Sequence, residues 1–210
     1  MQIAILLYDK FTVLDAVGPF QTLAGLPGAE VVFVAEQAGP VLDDTRTLSL
    51  VATKSLAEVS SPDIVVVPGS PEPALDNEAL LSWLRAVDAT TTWTTSVCTG
   101  SLILAAAGLL KGRRATSHWL ALEQIKQFGV DSTGQRVVFD GKYVTGAGVS
   151  AGIDMGLTLA GKIAGDEHAQ TVQLFIEYDP QPPYDAGSPE KAPAALVEKL
   201  RAQAVAETVS

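Results

Sequence analysis

The single cysteine of the chain stands at a junction between two kinds of sequence. Cys98 follows the β-branched stretch "TTWTTSV" (91–97) and precedes the Ala- and Leu-rich "GSLILAAAGLL" (100–110). Ser96 lies two residues before the cysteine and Gly100 two residues after it, a spacing that permits a tight strand-to-helix turn with the sulfur at its apex. Free N–H groups and the helix dipole favour a thiolate at such a position. The pattern predicts a nucleophile elbow, and an inert buried cysteine is the alternative.

Asp15 is a second residue with a potential chemical role. It follows the first predicted strand and lies between the apolar segments "FTVL" and "AVGPF". If it faces Cys98 in a buried site, its negative charge opposes a thiolate. We therefore expect a protonated carboxyl that donates to the sulfur and delivers its proton during reaction. An ordinary N-terminal helix cap is the alternative interpretation.

Other polar groups accompany these two. Thr99 places a hydroxyl directly after Cys98, and "PGS" ends a strand at Gly69 and Ser70. The N–H groups of Ser70 or Thr99 can form an anion-binding nest, whereas a plain helix start and a plain strand-ending turn are the alternatives. His118 is placed where it could approach the site as a base, and a packed or capping histidine explains it equally well. No His/Cys spacing predicts a metal site.

The elements that must position these residues follow from hydrophobic periodicity. Strands are predicted at 2–8, 30–36, 63–69 and 91–97, three of them largely apolar, as strands covered on both faces are. Helices are predicted at 18–26, 77–89, 100–110, 120–129, 150–165 and 194–206, and a hairpin over 135–146 turns at Asp140-Gly141. Gly152 and Gly156, one helical turn apart, predict close packing of their helix.

Strands that alternate with helices predict an α/β fold. We expect a flavodoxin-like three-layer sandwich with a mostly parallel sheet and helices on both faces. In such sheets functional residues gather at the carboxyl ends of the strands. The loop that carries Asp15, the strand end at Gly69 and the junction at Cys98 all fall at that edge.

Composition limits the class of protein. The 210 residues predict a single domain, with a Pro-rich segment from about residue 178 that wraps the surface. A net charge of −10 argues against nucleic acid or an anionic membrane as partner. One cysteine excludes an intramolecular disulfide, and the first residues lack the basic start of a signal peptide. We therefore expect a cytoplasmic protein.

Five segments together resemble the ThiJ/PfpI superfamily, which has the class I glutamine-amidotransferase-like fold with a nucleophile-elbow cysteine. They are "LLYDKFTVLDAVGP", "VVVPG", "TSVCTGSLILAAAGLLKGRRATSHW", "VTGAGVSAGIDMGLTLA" and "VQLFIEYDPQPPYDAGSP". The resemblance runs from about residue 2 to about residue 195. Its most specific parts are the cysteine segment and "EYDPQPPYDAGSP". Within the superfamily the chain is most similar to the isocyanide hydratases.

This resemblance implies the hydration of an isocyanide to an N-substituted formamide, without a cofactor and in a homodimer. It places the nucleophile on Cys98, the acidic partner on Asp15 and a supporting threonine on Thr99. The expected substrate-binding positions are Gly69, Ser70, Gly148, Val149 and Tyr178. Close relatives often have a second glycine where this chain has Ser70, which leaves the shape of the loop around the substrate open.

Other functions remain as alternatives at this stage. The same fold supports glyoxalase-like chemistry and hydrolysis of small amides, and a readily oxidised thiol suits a redox or ligand sensor. Protease-like members carry histidine where this chain has Thr99, which argues against peptide hydrolysis. A sensor joined to a DNA-binding domain is disfavoured by the net charge of −10.

Overall fold

A central sheet of seven strands organises the protein. The computed structural model describes residues 1–209, with side chains through residue 204. The strands are β1 (Gln2–Leu6), β2 (Glu30–Ala35), β3 (Gly39–Leu42), β4 (Ser49–Ala52), β5 (Lys54–Ser55), β6 (Ile64–Val67), β7 (Trp93–Val97), β8 (Arg114–Ala115), β9 (Asp131–Ser132), β10 (Val137–Asp140) and β11 (Tyr143–Gly146). The helices are α1 (Val13–Leu23), α2 (Glu78–Asp88), α3 (Gly100–Ala106), α4 (Leu122–Lys126), α5 (Ala151–Ala164), α6 (Asp166–Phe175) and α7 (Ala194–Val209).

The strand order of the sheet is β10-β11-β7-β6-β1-β2-β5. All neighbours pair in parallel except β10 and β11, which form the antiparallel hairpin that the sequence predicts. The central strands are apolar and buried because helices cover both faces of the sheet; all four residues of β6, "IVVV", are buried. Parallel pairing brings the carboxyl ends of β1, β6 and β7 to one edge, where the candidate residues lie.

The helices of residues 1–175 form one layer on each side of the sheet. On one face α1 packs against α5, and α6 packs against α5 in turn. On the other face α3 lies between α2 and α4 and packs against β6 and β7. These layers confirm the prediction of a flavodoxin-like three-layer sandwich.

Close packing of α5 depends on its glycines. A Cβ atom on Gly156 would lie 1.9 Å from Oγ1 of Thr22 in α1. A Cβ atom on Gly152 would lie 3.1 Å from Val97 in β7 and 3.2 Å from Pro19 in α1. The close packing predicted for this glycine pair is thus confirmed, and it involves α1 as well as the sheet.

Several boundaries differ from the sequence prediction. Helix α1 begins at Val13 rather than at residue 18, so Pro19 lies inside the helix. Helix α3 ends at Ala106 because Gly108 takes a left-handed conformation (φ 83°) that terminates helices. The predicted helix 120–129 is a 3₁₀ turn at Trp119–Ala121 followed by the short α4. The hairpin of β3 and β4, and helix α6, were not predicted.

Residues 1–175 form one compact unit and residues 176–210 form another. The second unit contains α7, and residues 178–193 have no helix or strand. The predicted helix 194–206 corresponds to α7, whereas the wrapping of residues 178–193 stays a prediction. Among residues 1–209, no helix is both long and apolar enough to cross a membrane.

Candidate functional site

The backbone of Cys98 has the geometry of an elbow. Its φ is 59°, in the left-handed region that costs a non-glycine residue about 1–2 kcal/mol. Its N–H donates to the carbonyls of Gly146 (3.1 Å) and Ala147 (2.8 Å). Its carbonyl accepts from the hydroxyls of Ser101 (3.1 Å) and Ser117 (3.2 Å). Hydrogen bonds from the surrounding elements therefore offset the cost of the strained turn.

Two glycines let the elbow approach the end of β6. A Cβ atom on Gly100 would lie 2.1 Å from the carbonyl oxygen of Val67, so no side chain fits there. A Cβ atom on Gly69 would lie 2.6 Å from both N and Oγ1 of Thr99. Ser96, in the place of the first glycine of the elbow pattern, is fully buried, and its hydroxyl has no hydrogen-bond partner among the described residues. Close backbone approach rather than a positive φ explains the need for Gly69 and Gly100.

Asp15 lies in the first turn of α1 and is 0% exposed. Its Oδ2 accepts from the N–H of Gly69 at 2.8 Å. Its Oδ1 has no hydrogen-bond partner among the described residues. Burial raises the pKa of Asp15 to about 7, against the lowering effects of the Gly69 bond and of the neighbouring Cys98 thiol. Thr12 occupies the N-cap position of α1, so the interpretation of Asp15 as a helix cap is wrong.

The sulfur of Cys98 belongs to the same buried group. The residue is 6% exposed. Burial and the charge of Asp15 raise the pKa of the thiol to about 12, while the amides of Val149 and Thr99 act in the lowering direction. The N–H groups at the helix start favour a thiolate, as expected, but burial and the like charge outweigh them while Asp15 is ionised.

The two groups titrate as a coupled pair. Below about pH 7 both hold a proton; above it, the pair has lost one proton. When the remaining proton sits on Asp15, the charge that opposes a thiolate is gone, and the amides of Val149 and Thr99 still face the sulfur. The singly deprotonated pair thus contains the reactive combination of a thiolate and a neutral acid as one of its two forms.

Thr99 connects the elbow to the loop after β6. Its hydroxyl donates to the carbonyl of Ser70 at 2.6 Å and accepts from the N–H of Ser70 at 2.8 Å. The Ser70 amide, expected from the sequence to bind an anion, is therefore engaged by Thr99. The Gly69 amide is engaged by Asp15. Of the N–H groups expected to bind an anion, that of Thr99 faces the sulfur of Cys98. The N–H group of Val149, which was not expected to do so, also faces the sulfur.

His118 packs beside the loop between β11 and α5. A Cβ atom on Gly148 would lie 2.7 Å from Cδ2 of His118. Nδ1 of His118 accepts from the N–H of Leu120 at 3.4 Å and caps the 3₁₀ turn, and burial lowers the pKa of the imidazole. The packed and capping interpretation explains these contacts. The residue after Gly148, Val149, has a positive φ of 21°.

Three residues that the sequence did not single out lie around this pair. Tyr8, in the loop that follows β1, donates its hydroxyl to the carbonyl of Pro68 at 2.9 Å. Burial, followed by the charges of Asp15, Cys98 and Asp44, raises its pKa well above the usual value, so this phenol borders the site. Thr12 lies in the loop between β1 and α1, and its hydroxyl binds Asp44, which lies between β3 and β4. Tyr8 is the last residue of the predicted apolar strand 2–8, and this position was a usable signal. Asp44, in contrast, lies on a hairpin that was not predicted.

Two further expectations concern Tyr178 and metals. Tyr178 falls within residues 176–210, a separate unit, so its place at the site stays a prediction. No group of three His, Cys, Asp or Glu side chains in the described part of the chain is arranged to hold a metal ion.

Known proteins are similar to this chain in sequence. The isonitrile hydratase of Pseudomonas putida is 42% identical over 206 residues, which cover 97% of this chain and 90% of the hydratase. The HTH-type transcriptional regulator CdhR of Pseudomonas aeruginosa is 33% identical over 147 residues, which cover 68% of this chain and 44% of the regulator.

Structural comparison gives the same result. The crystal structure of a ThiJ/PfpI family protein from Pseudomonas syringae matches with a TM-score of 0.93 at 40% identity, and covers 98% of this chain and 86% of that one. The profile of the DJ-1/PfpI family matches residues 1–162. The predicted resemblance is confirmed: this chain belongs to the DJ-1/PfpI family.

Proposed function

We propose that this protein hydrates isonitriles (isocyanides) to N-substituted formamides, with Cys98 as nucleophile and Asp15 as proton carrier. The observation that carries the proposal is the buried pair itself, a cysteine at a left-handed apex beside a carboxyl whose pKa is raised to about 7. The 42% identity to the isonitrile hydratase of Pseudomonas putida supports this substrate class.

In the first half of the reaction the Cys98 thiolate attacks the terminal carbon of R–N≡C and forms a C–S bond. Asp15 delivers its proton to the same carbon, which gives a covalent thioimidate, R–N=CH–S. The amides of Thr99 and Val149 face the sulfur and stabilise the thiolate before attack.

In the second half, the ionised Asp15 takes a proton from water as the water oxygen attacks the thioimidate carbon, and passes that proton to the substrate nitrogen. Thr99 assists by accepting a hydrogen bond from this water. Collapse of the tetrahedral adduct breaks the C–S bond, returns the hydroxyl proton to Asp15 and releases R–NH–CHO. The thiolate and the neutral acid are restored, and the sum is the addition of one water.

The pH dependence follows from the coupled pair. With both protons in place the thiol is neutral and unreactive, so kcat/KM is expected to rise through about pH 7 and to level off above it. A profile that falls through pH 7 would contradict the assignment of the reactive form.

The direct test is an absorbance assay with an aryl isonitrile that follows the appearance of its formamide. Wild type is expected to turn over. Cys98→Ala is expected to lose activity by roughly 10⁴-fold or more, the scale seen when a catalytic nucleophile is removed. Asp15→Asn, which retains an acceptor for the Gly69 N–H but carries no transferable proton, is expected to be severely slow.

Controls separate this reaction from other thiol chemistry. Mass spectrometry of acid-quenched wild type is expected to show the whole mass of the isonitrile added to the peptide that contains Cys98. Methylglyoxal serves as the comparison substrate. Turnover of methylglyoxal without turnover of the isonitrile, in folded and reduced protein, would overturn the proposed function in favour of glyoxalase-like chemistry.

A further inference from the structure

The hairpin of β3 and β4 is fastened to the loop that leads into α1. The N–H of Asp44, at the tip of the hairpin, donates to the carbonyl of Phe11 at 3.1 Å. Phe11 also forms a β-bridge with Asp43, and the N–H of Lys10 donates to the carbonyl of Leu42 at 3.0 Å. Two backbone hydrogen bonds, one of them part of the β-bridge, therefore hold the backbone of Asp44 against this loop.

Thr12 links the hairpin to the residues of the candidate site. Its hydroxyl makes no cap bond to α1 and instead donates to Oδ2 of Asp44 at 2.7 Å. Its N–H donates to the carbonyl of Gly69 at 2.8 Å, and its carbonyl accepts from the N–H of Asp15 at 3.1 Å. The residue thus joins the hairpin, the strand end after β6 and the start of the helix that carries Asp15.

The charged and titratable groups around Asp15 come from several elements. Tyr8 in the loop after β1 and Cys98 at the elbow are neutral when protonated, and Asp44 on the hairpin is the second carboxylate. Helix α5, which packs on α1, carries Asp154 in its first turn, and that carboxylate is paired with Arg136. Lys10 and Glu72, near the loops after β1 and β6, pair with one another at 2.5 Å.

We propose that Asp44 is a positioning residue that acts through Asp15: it fixes Thr12 at the start of α1 and places a second negative charge beside the buried carboxyl. This inference rests on the proposed function for its catalytic meaning. Burial is the main cause of the raised pKa values of Asp15 and Tyr8, and the charge of Asp44 adds to both in the same direction, which agrees with the geometry. Its consequence is that Asp15 binds a proton more readily, and the pair spends more time as thiolate and neutral acid.

The test is the rate at which iodoacetamide alkylates Cys98, measured by mass spectrometry between pH 5 and pH 9. Cys98 is the single cysteine of the chain, so the signal is unambiguous. The thiolate displaces iodide and forms a C–S bond, so the rate reports the thiolate form of the pair. In wild type the rate is expected to rise through about pH 7 to a plateau. Asp44→Asn keeps an acceptor for Thr12 and removes only the charge.

For Asp44→Asn the midpoint is expected at lower pH and the plateau rate is expected to fall by a matching factor, about twofold for each 0.3 pH unit. The same displacement is expected for the acid limb of kcat/KM with the aryl isonitrile. Asp44→Glu retains the charge and is expected to return the profile toward wild type. Asp9→Asn removes an exposed carboxylate, paired with Arg46, from the loop between β1 and α1, and it is the control for the loss of one charge.

An Asp44→Asn profile identical to wild type, or to Asp9→Asn, in protein with unchanged circular dichroism, would overturn the proposal. A displaced alkylation profile without any isonitrile turnover by wild type would retain the role of Asp44 and overturn the proposed function. Turnover with undisplaced profiles would do the reverse, so the two failures are distinguishable.

Discussion

Replacement of Asp15 by asparagine is expected to change the pH dependence of stability in a specific direction. In the native state the pKa of this carboxyl is about 7, whereas an unperturbed aspartate has 3.8. Between these values the folded protein binds more protons than the unfolded chain, so the contribution of Asp15 to stability falls as pH rises. Below about pH 4 both states are protonated and the contribution is intact; above about pH 7 it is fully lost.

The magnitude follows from the same two values. The difference between 3.8 and about 7, at about 1.4 kcal/mol per pH unit, corresponds to about 4 kcal/mol. The cause is visible in the structure, because an ionised Asp15 has one donor, the N–H of Gly69, and an Oδ1 without a partner among the described residues. The free energy of unfolding of wild type minus that of Asp15→Asn should therefore fall by about 4 kcal/mol between pH 4 and pH 8.

Urea unfolding followed by tryptophan fluorescence at four or five pH values measures this difference. Asp9→Asn serves as the control for the loss of a carboxylate at an exposed position. A difference between wild type and Asp15→Asn that stays constant across the pH range would refute the claim that the native site favours a protonated carboxyl. If the expected change is found together with loss of turnover, the site sacrifices stability at neutral pH for its chemistry.

Two further substitutions test packing and the elbow. Gly156→Ala places a Cβ atom against Thr22 and is expected to lower the free energy of unfolding by about 1–3 kcal/mol. Thermal unfolding should show that the double variant with Thr22→Ala recovers most of this lost stability. Additive effects of the two substitutions would contradict the contact. Thr99→Val leaves the N–H and the carbonyl of Ser70 without the hydroxyl that they bind, and it is expected to lower kcat by about tenfold or more. Thr99→Ser retains the hydroxyl and should have a kcat near that of wild type. Equal rates for the two variants would contradict a role for the hydroxyl.

Local patterns were enough to predict the centre of the fold. The apolar run that forms β6 and the small residues around Cys98 act over a few positions, so periodicity and turn chemistry identified the parallel sheet and the elbow. The start of α1 was placed five residues late because Pro19 is typical of a first turn, whereas here it lies inside the helix.

The electrostatics of the site were beyond local patterns. The opposition of a buried Asp15 charge to the thiolate was expected from the sequence, but the degree of burial that makes both effects outweigh the helix start is set by the packed structure. Asp44 reaches Thr12 across 32 positions of sequence from a hairpin with alternating exposure and a proline in its first strand, which gives a weak strand signal. Such contacts depend on tertiary structure and were therefore missed.

Four hydrogen bonds hold the backbone N–H and carbonyl of Cys98 in place without involving its side chain. These four bonds therefore fix the position and direction of the side chain at the apex whatever its chemical identity. A change of reaction would require substitutions at the few positions that face the apex, with the turn itself left unchanged. The elbow thus fixes where a catalytic side chain is held, and different catalysts can evolve by substitution of the residue at the apex.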